Sequence, residues 1–251
     1  MKDQQYDYAS QRPKMYDRKS REQKALQIVK TLTRILGNTA LQKFTVLDIG
    51  CSTGIIDTIL AQKCKKVVGI DIDKKAILFA KKNCKQKNLV FTIGDTMKLA
   101  FPNNSFDVII CAQVYEHVPN PQKLFEEVYR VLRPGGVCYL SACNKLWPIE
   151  PHYNLPFLSF LPTSFANYYI KITGKGERYF EKLKTYWQLK KLVKQFIITD
   201  VTTQILKEPK GFGFTESFIA KQPGHFLVGI FAPLGKFFAP TFFWLLGKPS
   251  L

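Results

Sequence analysis

The stretch Val46-Leu-Asp-Ile-Gly-Cys-Ser-Thr-Gly54 constrains this chain most. Val46, Leu47 and Ile49 are strand formers in a short apolar run, which breaks into a glycine turn. A helix is expected over Ile55–Lys63. Gly50 can take backbone angles closed to a side chain and lets a ligand approach the main chain. Gly54 allows close packing where the helix begins. A turn of this kind aims backbone N–H groups at one point, which predicts a site for a carboxylate or phosphate. The 251 residues, 46% of them hydrophobic, suffice for one α/β domain with a full core.

The chain alternates strands and helices on either side of that turn. Met1 to about Asp17 is polar and reads as a loose arm. Arg18–Leu36 has helical spacing at Ala25, Ile28, Val29 and Leu32, with Gly37 as a stop. Lys66–Asp71 reads as the second strand. Asp71 lies about twenty residues beyond the turn, the spacing of a carboxylate that accepts both hydroxyls of a ribose. Asp73 is better placed to cap a helix over Lys74–Lys87. Leu89–Ile93 is the third strand, before Gly94-Asp95-Thr96-Met97. Ser105–Cys111 is the fourth, before Ala112-Gln-Val-Tyr-Glu-His-Val-Pro119. Asn120 and Pro121 open a helix to Leu132, and Arg133–Gly136 turns into the strand Val137–Ala142. Such alternation implies a parallel sheet with ligands at the carboxyl ends of its strands. The glycine turn, Asp71, Asp95, Gln113 and His117 all fall at such ends.

Asp48-Ile-Gly50-Cys-Ser52-Thr-Gly54 resembles motif I of the class I S-adenosylmethionine-dependent methyltransferases, Asp/Glu-x-Gly-x-Gly-x-Gly, with Ser52 for the middle glycine. Leu132-Arg-Pro-Gly-Gly136 before a strand is a further mark of the type 11 group, which includes ubiquinone- and menaquinone-pathway enzymes. The resemblance covers roughly Tyr16 to Cys143. It implies an α/β, Rossmann-like, seven-stranded, mostly parallel sheet with helices on both faces. It also implies S-adenosyl-L-methionine as cofactor, held by Asp48, Gly50, Cys51, Gly54, Asp71, Ile72, Asp95, Thr96 and Gln113. In that scheme Asp95 accepts from the adenine amine, and Thr96 or Met97 shapes the same pocket. An N-terminal arm and helix often lie across such sites, so Tyr16 is either a lid residue or a surface tyrosine.

Methyl transfer from a sulfonium needs alignment more than covalent help. A hydroxyl acceptor also needs a base. His117 beside Glu116, and His152 between Glu150 and Tyr153, are the candidates, each with a packing role as its alternative; His225 is given none. After the fourth strand stands Ala112-Gln-Val-Tyr115, not the Asn/Asp-Pro-Pro-aromatic motif of enzymes acting on base amines, and no Pro-Cys occurs. A small molecule, a lipid-linked intermediate or a glycan hydroxyl is the expected acceptor. The net charge of +18 and pI near 9.6 keep RNA and an anionic membrane surface in view. They equally suit a lysine-rich solvated surface. A dinucleotide-dependent oxidoreductase would carry Gly-x-Gly-x-x-Gly. A methyltransferase-like scaffold without catalysis is the remaining alternative.

Six cysteines form no Cys-x-x-Cys pair, and the N-terminus has no signal-peptide core. Reduced thiols, no metal and a cytoplasmic location are expected, with the oligomeric state open. Four regions follow: an arm and helix (1–37), the cofactor core (38–143), an inserted cover after the fifth strand (144–182) and a C-terminal part (183–251). The cover is rich in proline and aromatics, among them Phe157, Phe160, Phe165, Tyr168 and Tyr169. These would bind an acceptor or pack as a satellite core. Lys184–Lys194 reads as a helix and Phe196–Thr202 as a sixth strand. Phe226–Leu246 is apolar but interrupted by Pro233, Gly235 and Pro240. Phe226–Phe238 therefore reads as a short helical or interfacial element, for which membrane contact is one reading, and Thr241–Leu246 suits the final, antiparallel strand that the class I resemblance implies.

Overall fold

A computed structural model describes residues 5–214 and 236–250. From residue 5 on, the arm is not loose. Its two short 3-10 turns, Gln5–Asp7 and Pro13–Met15, bracket a buried Ala9, whose N–H donates to Asp73 Oδ2 at 2.9 Å. Helix α1 (Arg18–Leu36) follows, with one turn, α2 (Asn38–Leu41), after Gly37. Then come β1 (Thr45–Ile49), α3 (Ile55–Ala61), β2 (Lys66–Asp71), α4 (Lys74–Asn83), β3 (Leu89–Ile93), β4 (Phe106–Ala112), α5 (Pro121–Val131) and β5 (Leu132–Cys143). Asp73 Oδ1 caps α4 through the Ala76 N–H, and Asn120 Oδ1 caps α5 through the Lys123 N–H. β5 starts earlier than expected, because the Arg133–Gly136 turn is drawn into the strand.

The cover holds a two-stranded ribbon, β6 (Ile149–Glu150) and β7 (Leu155–Pro156), then a 3-10 turn and α6 (Thr163–Ile172). α7 (Tyr186–Leu192) is shorter than its pattern and carries a Thr185–Gln188 capping box. β8 (Ile197–Asp200) also stops early, because Thr202 opens α8 (Thr202–Lys207), which the sequence reading did not foresee. β9 (Thr241–Gly247) falls where expected.

The seven-stranded sheet runs β3-β2-β1-β4-β5-β9-β8, with β9 antiparallel to both neighbours. The order reverses at β1 and β4, the switch point at which open α/β sheets bind ligands. One core layer joins the sheet to α5 and α7 through Leu124, Phe125, Val128 and Leu189. The other joins it to α1 and α3 through Ala25, Ile28, Leu32, Ile56 and Leu60. Helices thus cover both faces. A satellite core of Tyr153, Leu155, Leu158, Ala166 and Ile170 supports the cover. Among the described residues no helix is long and apolar enough to cross a membrane. Residues 226–235, most of the expected interfacial element, and His225 lie outside the described residues.

Candidate active site

A cavity of about 450 Å³ opens over the carboxyl ends of β1, β2, β3 and β4. Gly50, Asp71, Ile72, Asp95, Thr96, Gln113, His117 and His152 all line it. Residues far apart in sequence therefore converge there, as their places at strand ends required. Asp48, Cys51 and Gly54 do not line it; they build the turn from beneath. Cys51 packs with Ile77, Ala80 and Phe91. A Cβ on Gly54 would stand 2.5 Å from Phe91 Cζ and 2.9 Å from Ala80 Cβ, so glycine here serves the packing of α3. Asp48 is buried below the floor. Burial raises its carboxyl's pKa, while Arg21 works against that rise.

The turn itself differs from expectation in its free groups. The N–H groups of Gly50 and Cys51 both donate to Ile70 O, at 2.8 and 3.2 Å. The Ser52 N–H donates to Asp71 Oδ2 at 2.8 Å, and the Gly54 N–H to Cys51 O at 3.1 Å. These four donors are spent inside the protein, so they do not form the expected anion cradle. Ser52 holds φ 51°, the left-handed region that a glycine enters without cost.

Two cations from α1, Arg21 and Lys24, line the cavity. Arg21 is buried, and its Nε has no hydrogen-bond partner among the described residues. Lys24 Nζ donates to Gln113 Oε1, and burial with Arg21 nearby brings its pKa down to about 8. Gln113 sits at φ 59° at the end of β4, which turns its side chain into the cavity. The Asp71 carboxylate is fixed at both oxygens, since Oδ1 accepts the Asp73 N–H at 2.9 Å.

The wall opposite carries the titratable cluster. His152 Nδ1 lies 2.7 Å from Glu150 Oε1, and Glu150 Oε2 accepts the N–H groups of His152 and Tyr153 at 2.8 Å each. Burial opposes charge on His152, but the Glu150 hydrogen bond and charge outweigh it and raise its pKa. His117 meets His152 edge to face, with ring centroids 4.9 Å apart. Burial, with His152 second, pushes its pKa well down. Fully buried Glu116 is pushed up to about 7 by burial. Ligating atoms of Glu116, His117 and His152 lie within 4.8 Å of one another, so the trio could hold a cation as well as move a proton.

The arm closes the cavity with residues that sequence reasoning passed over. Tyr8, Arg12 and Met15 line it, whereas Tyr16 packs edge-on against Phe79 outside. Arg12 pairs with buried Glu181 at 3.5 Å, donates to His152 O at 3.2 Å and stacks over Tyr153. From the cover, only Pro151 and His152 reach the cavity wall, and its aromatics do not. A signal for Arg12, Arg21 and Lys24 was absent, because cations scattered through a lysine-rich chain read as solvated.

Residues 47–140 match the family model described as a methyltransferase domain. The ubiquinone biosynthesis O-methyltransferase of Psychrobacter arcticus is 35% identical over 105 residues, 40% of this chain and 41% of that protein. The enzyme of the same name from Actinobacillus pleuropneumoniae is 31% identical over 144 residues, 55% of this chain and 58% of that one. The chain thus spans about half the length of the curated relatives it matches. An S-adenosylmethionine-dependent methyltransferase from Mesorhizobium loti shares the fold, with a TM-score of 0.55 at 14% identity over 82% of this chain and 91% of that one. Motif, matched domain and fold agree: residues 47–140 are similar to a methyltransferase domain, set on a seven-stranded, Rossmann-like sheet.

Proposed function

We infer that the protein transfers a methyl group from S-adenosylmethionine to a hydroxyl oxygen of a small-molecule, lipid-linked or glycan acceptor, in the cytoplasm. The observation that carries this reading is the one cavity that joins Asp71, Asp95 and two α1 cations to a carboxylate-oriented histidine. The donor set suits a nucleoside with an amino-acid tail. Asp71 would accept from the ribose hydroxyls, with Ile72 against the adenine and Asp95 and Thr96 at its edge. The unpartnered Nε of Arg21 and the ammonium of Lys24 would take the tail carboxylate. The bound sulfonium supplies an electrophilic methyl carbon.

The chain's own part is alignment and proton removal. Glu150 fixes the His152 tautomer that presents Nε2 as acceptor, so His152 would take the acceptor's hydroxyl proton. The cover and Arg12 shield the site from water. Oxygen as the methylated atom draws support from the names of the curated relatives, both O-methyltransferases. Six unpaired thiols suit a reducing compartment.

Turnover on a panel of phenolic, lipid-linked and sugar hydroxyls, read as S-adenosylhomocysteine formed, tests the reading. Product on a hydroxyl acceptor and a loss of at least about 100-fold in kcat for His152→Gln are expected. Transfer only to nitrogen or RNA would overturn the oxygen assignment. Rates that vanish with chelator and return with a divalent ion would reassign His152 from base to ligand.

A further inference from the structure

Residues 157–172 turn large apolar side chains outward. α6 has two apolar stripes. Ala166 and Ile170 are fully buried in the satellite core. Phe165, Tyr168 and Ile172, at i, i+3 and i+7, share another side of the helix and are 64, 66 and 62% exposed. Just before the helix, Phe157 and Phe160 are also exposed and meet edge to face, their centroids 6.1 Å apart. Phe157 holds φ 55°, a conformation bulky side chains rarely take. A helix that faces water normally turns charge to that side, and contiguous exposed apolar groups mark a contact surface. None of these five side chains lines the active-site cavity.

Charge identifies the occupant. Lys171, Lys175, Arg178 and Lys182 are exposed along the same segment. Between 157 and 184 the acids are Glu177 and Glu181, and Glu181 is buried against Arg12. Arg178 and Lys182 share a cleft of about 470 Å³ with Leu161 and Thr163, next to the start of α6. A second copy of this face would set like charges against each other, whereas acidic headgroups would neutralise them. Exposed rings and aliphatic groups with cations along the same segment suit the boundary between headgroups and acyl chains.

We propose that the outward face of residues 157–172 docks the protein on an acidic lipid surface. Phe157, Phe160, Phe165, Tyr168 and Ile172 enter the interfacial layer, and the four cations meet the headgroups. This contact needs neither methyl donor nor acceptor, so it stands or falls apart from the methyltransferase reading.

The full chain, sedimented with phosphatidylglycerol or phosphatidylcholine vesicles at low salt, tests it. Binding to phosphatidylglycerol should be at least about ten-fold tighter than to phosphatidylcholine. A Phe165→Ser/Tyr168→Ser/Ile172→Ser variant should lose at least about ten-fold in affinity for phosphatidylglycerol vesicles while binding S-adenosylhomocysteine as the parent does. In a Phe165→Trp variant, brominated phosphatidylglycerol should quench the added indole. No binding by the parent, or no quenching at position 165, would overturn the proposal. So would a triple variant that binds as tightly as the parent, which would place the contact elsewhere, as in the apolar stretch 226–235. A parent dimer that the triple variant converts to monomer would give this face to a second copy instead.

Discussion

Glu150 and His152 are two residues apart, and the strand–turn between them lets one carboxylate hold both the ring nitrogen and two backbone N–H groups. Glu150 raises the His152 pKa above its ordinary 6.5, so the neutral, proton-accepting form gains population only as pH rises through that raised value. Glu150→Gln removes the charge, so the acid limb of kcat against pH should move to lower pH. The plateau should fall about 10-fold or more as the ring loses its orientation. A limb that stays in place would separate His152 from proton removal. Lys24 allows a second residue-scale test. Lys24→Met should weaken S-adenosylhomocysteine by about 10-fold or more, yet leave methylthioadenosine, which lacks the carboxylate, nearly unchanged. Equal losses for both ligands would mean that Lys24 shapes the pocket without meeting the tail. Asp71, Asp95, Gln113 and His117 were legible because strand ends in an alternating α/β chain mark the ligand side, whereas His152 was legible only as a titratable residue in the cover. Arg21 and Lys24 were not, since their role depends on how α1 lies over the sheet.

At the scale of elements, the strand–turn–helix at Val46–Gly54 was legible in outline and misleading in one detail. Its glycines announce the turn, but they cannot tell that Ile70 O and Asp71 absorb the turn's amides. Gly54→Ala meets Phe91 and Ala80 and also sits at φ 73°. It should destabilise the protein by about 2–3 kcal/mol, read by denaturant unfolding with an unchanged m-value. A neutral result would mean that β3 and α4 give way easily. The arm's order was illegible because its contacts, Ala9 to Asp73 and Arg12 to Glu181, span long stretches of chain and a polar segment shows no periodicity. α4, α7 and β8 are shorter than expected because the backbone leaves the helix at Cys84 and Val193 and leaves the strand before α8 opens at Thr202.

Across the whole molecule, the parallel part of the sheet followed from the alternation of segments and the reversed strand from the resemblance to the class I fold, and β9 appeared within a residue of its expected end. Stability should carry a mark of the buried acids. Glu116 is raised from 4.5 to about 7 by burial, so its native form holds a proton that the unfolded chain releases. Its contribution is complete below about pH 4.5 and is lost as pH rises to about 7, an effect of up to about 3 kcal/mol. Glu116→Gln should therefore flatten the fall in unfolding free energy between pH 5 and 7, whereas an unchanged slope would assign that fall to other groups. The central claim, that the cavity over β1, β2, β3 and β4 holds the methyl donor, is tested most directly by calorimetric titration of the intact protein with S-adenosylhomocysteine beside an Asp71→Ala variant. The account predicts one site of micromolar affinity, weakened by at least about 100-fold in the variant. Absence of binding to the intact protein, or equal binding by the variant, would contradict it.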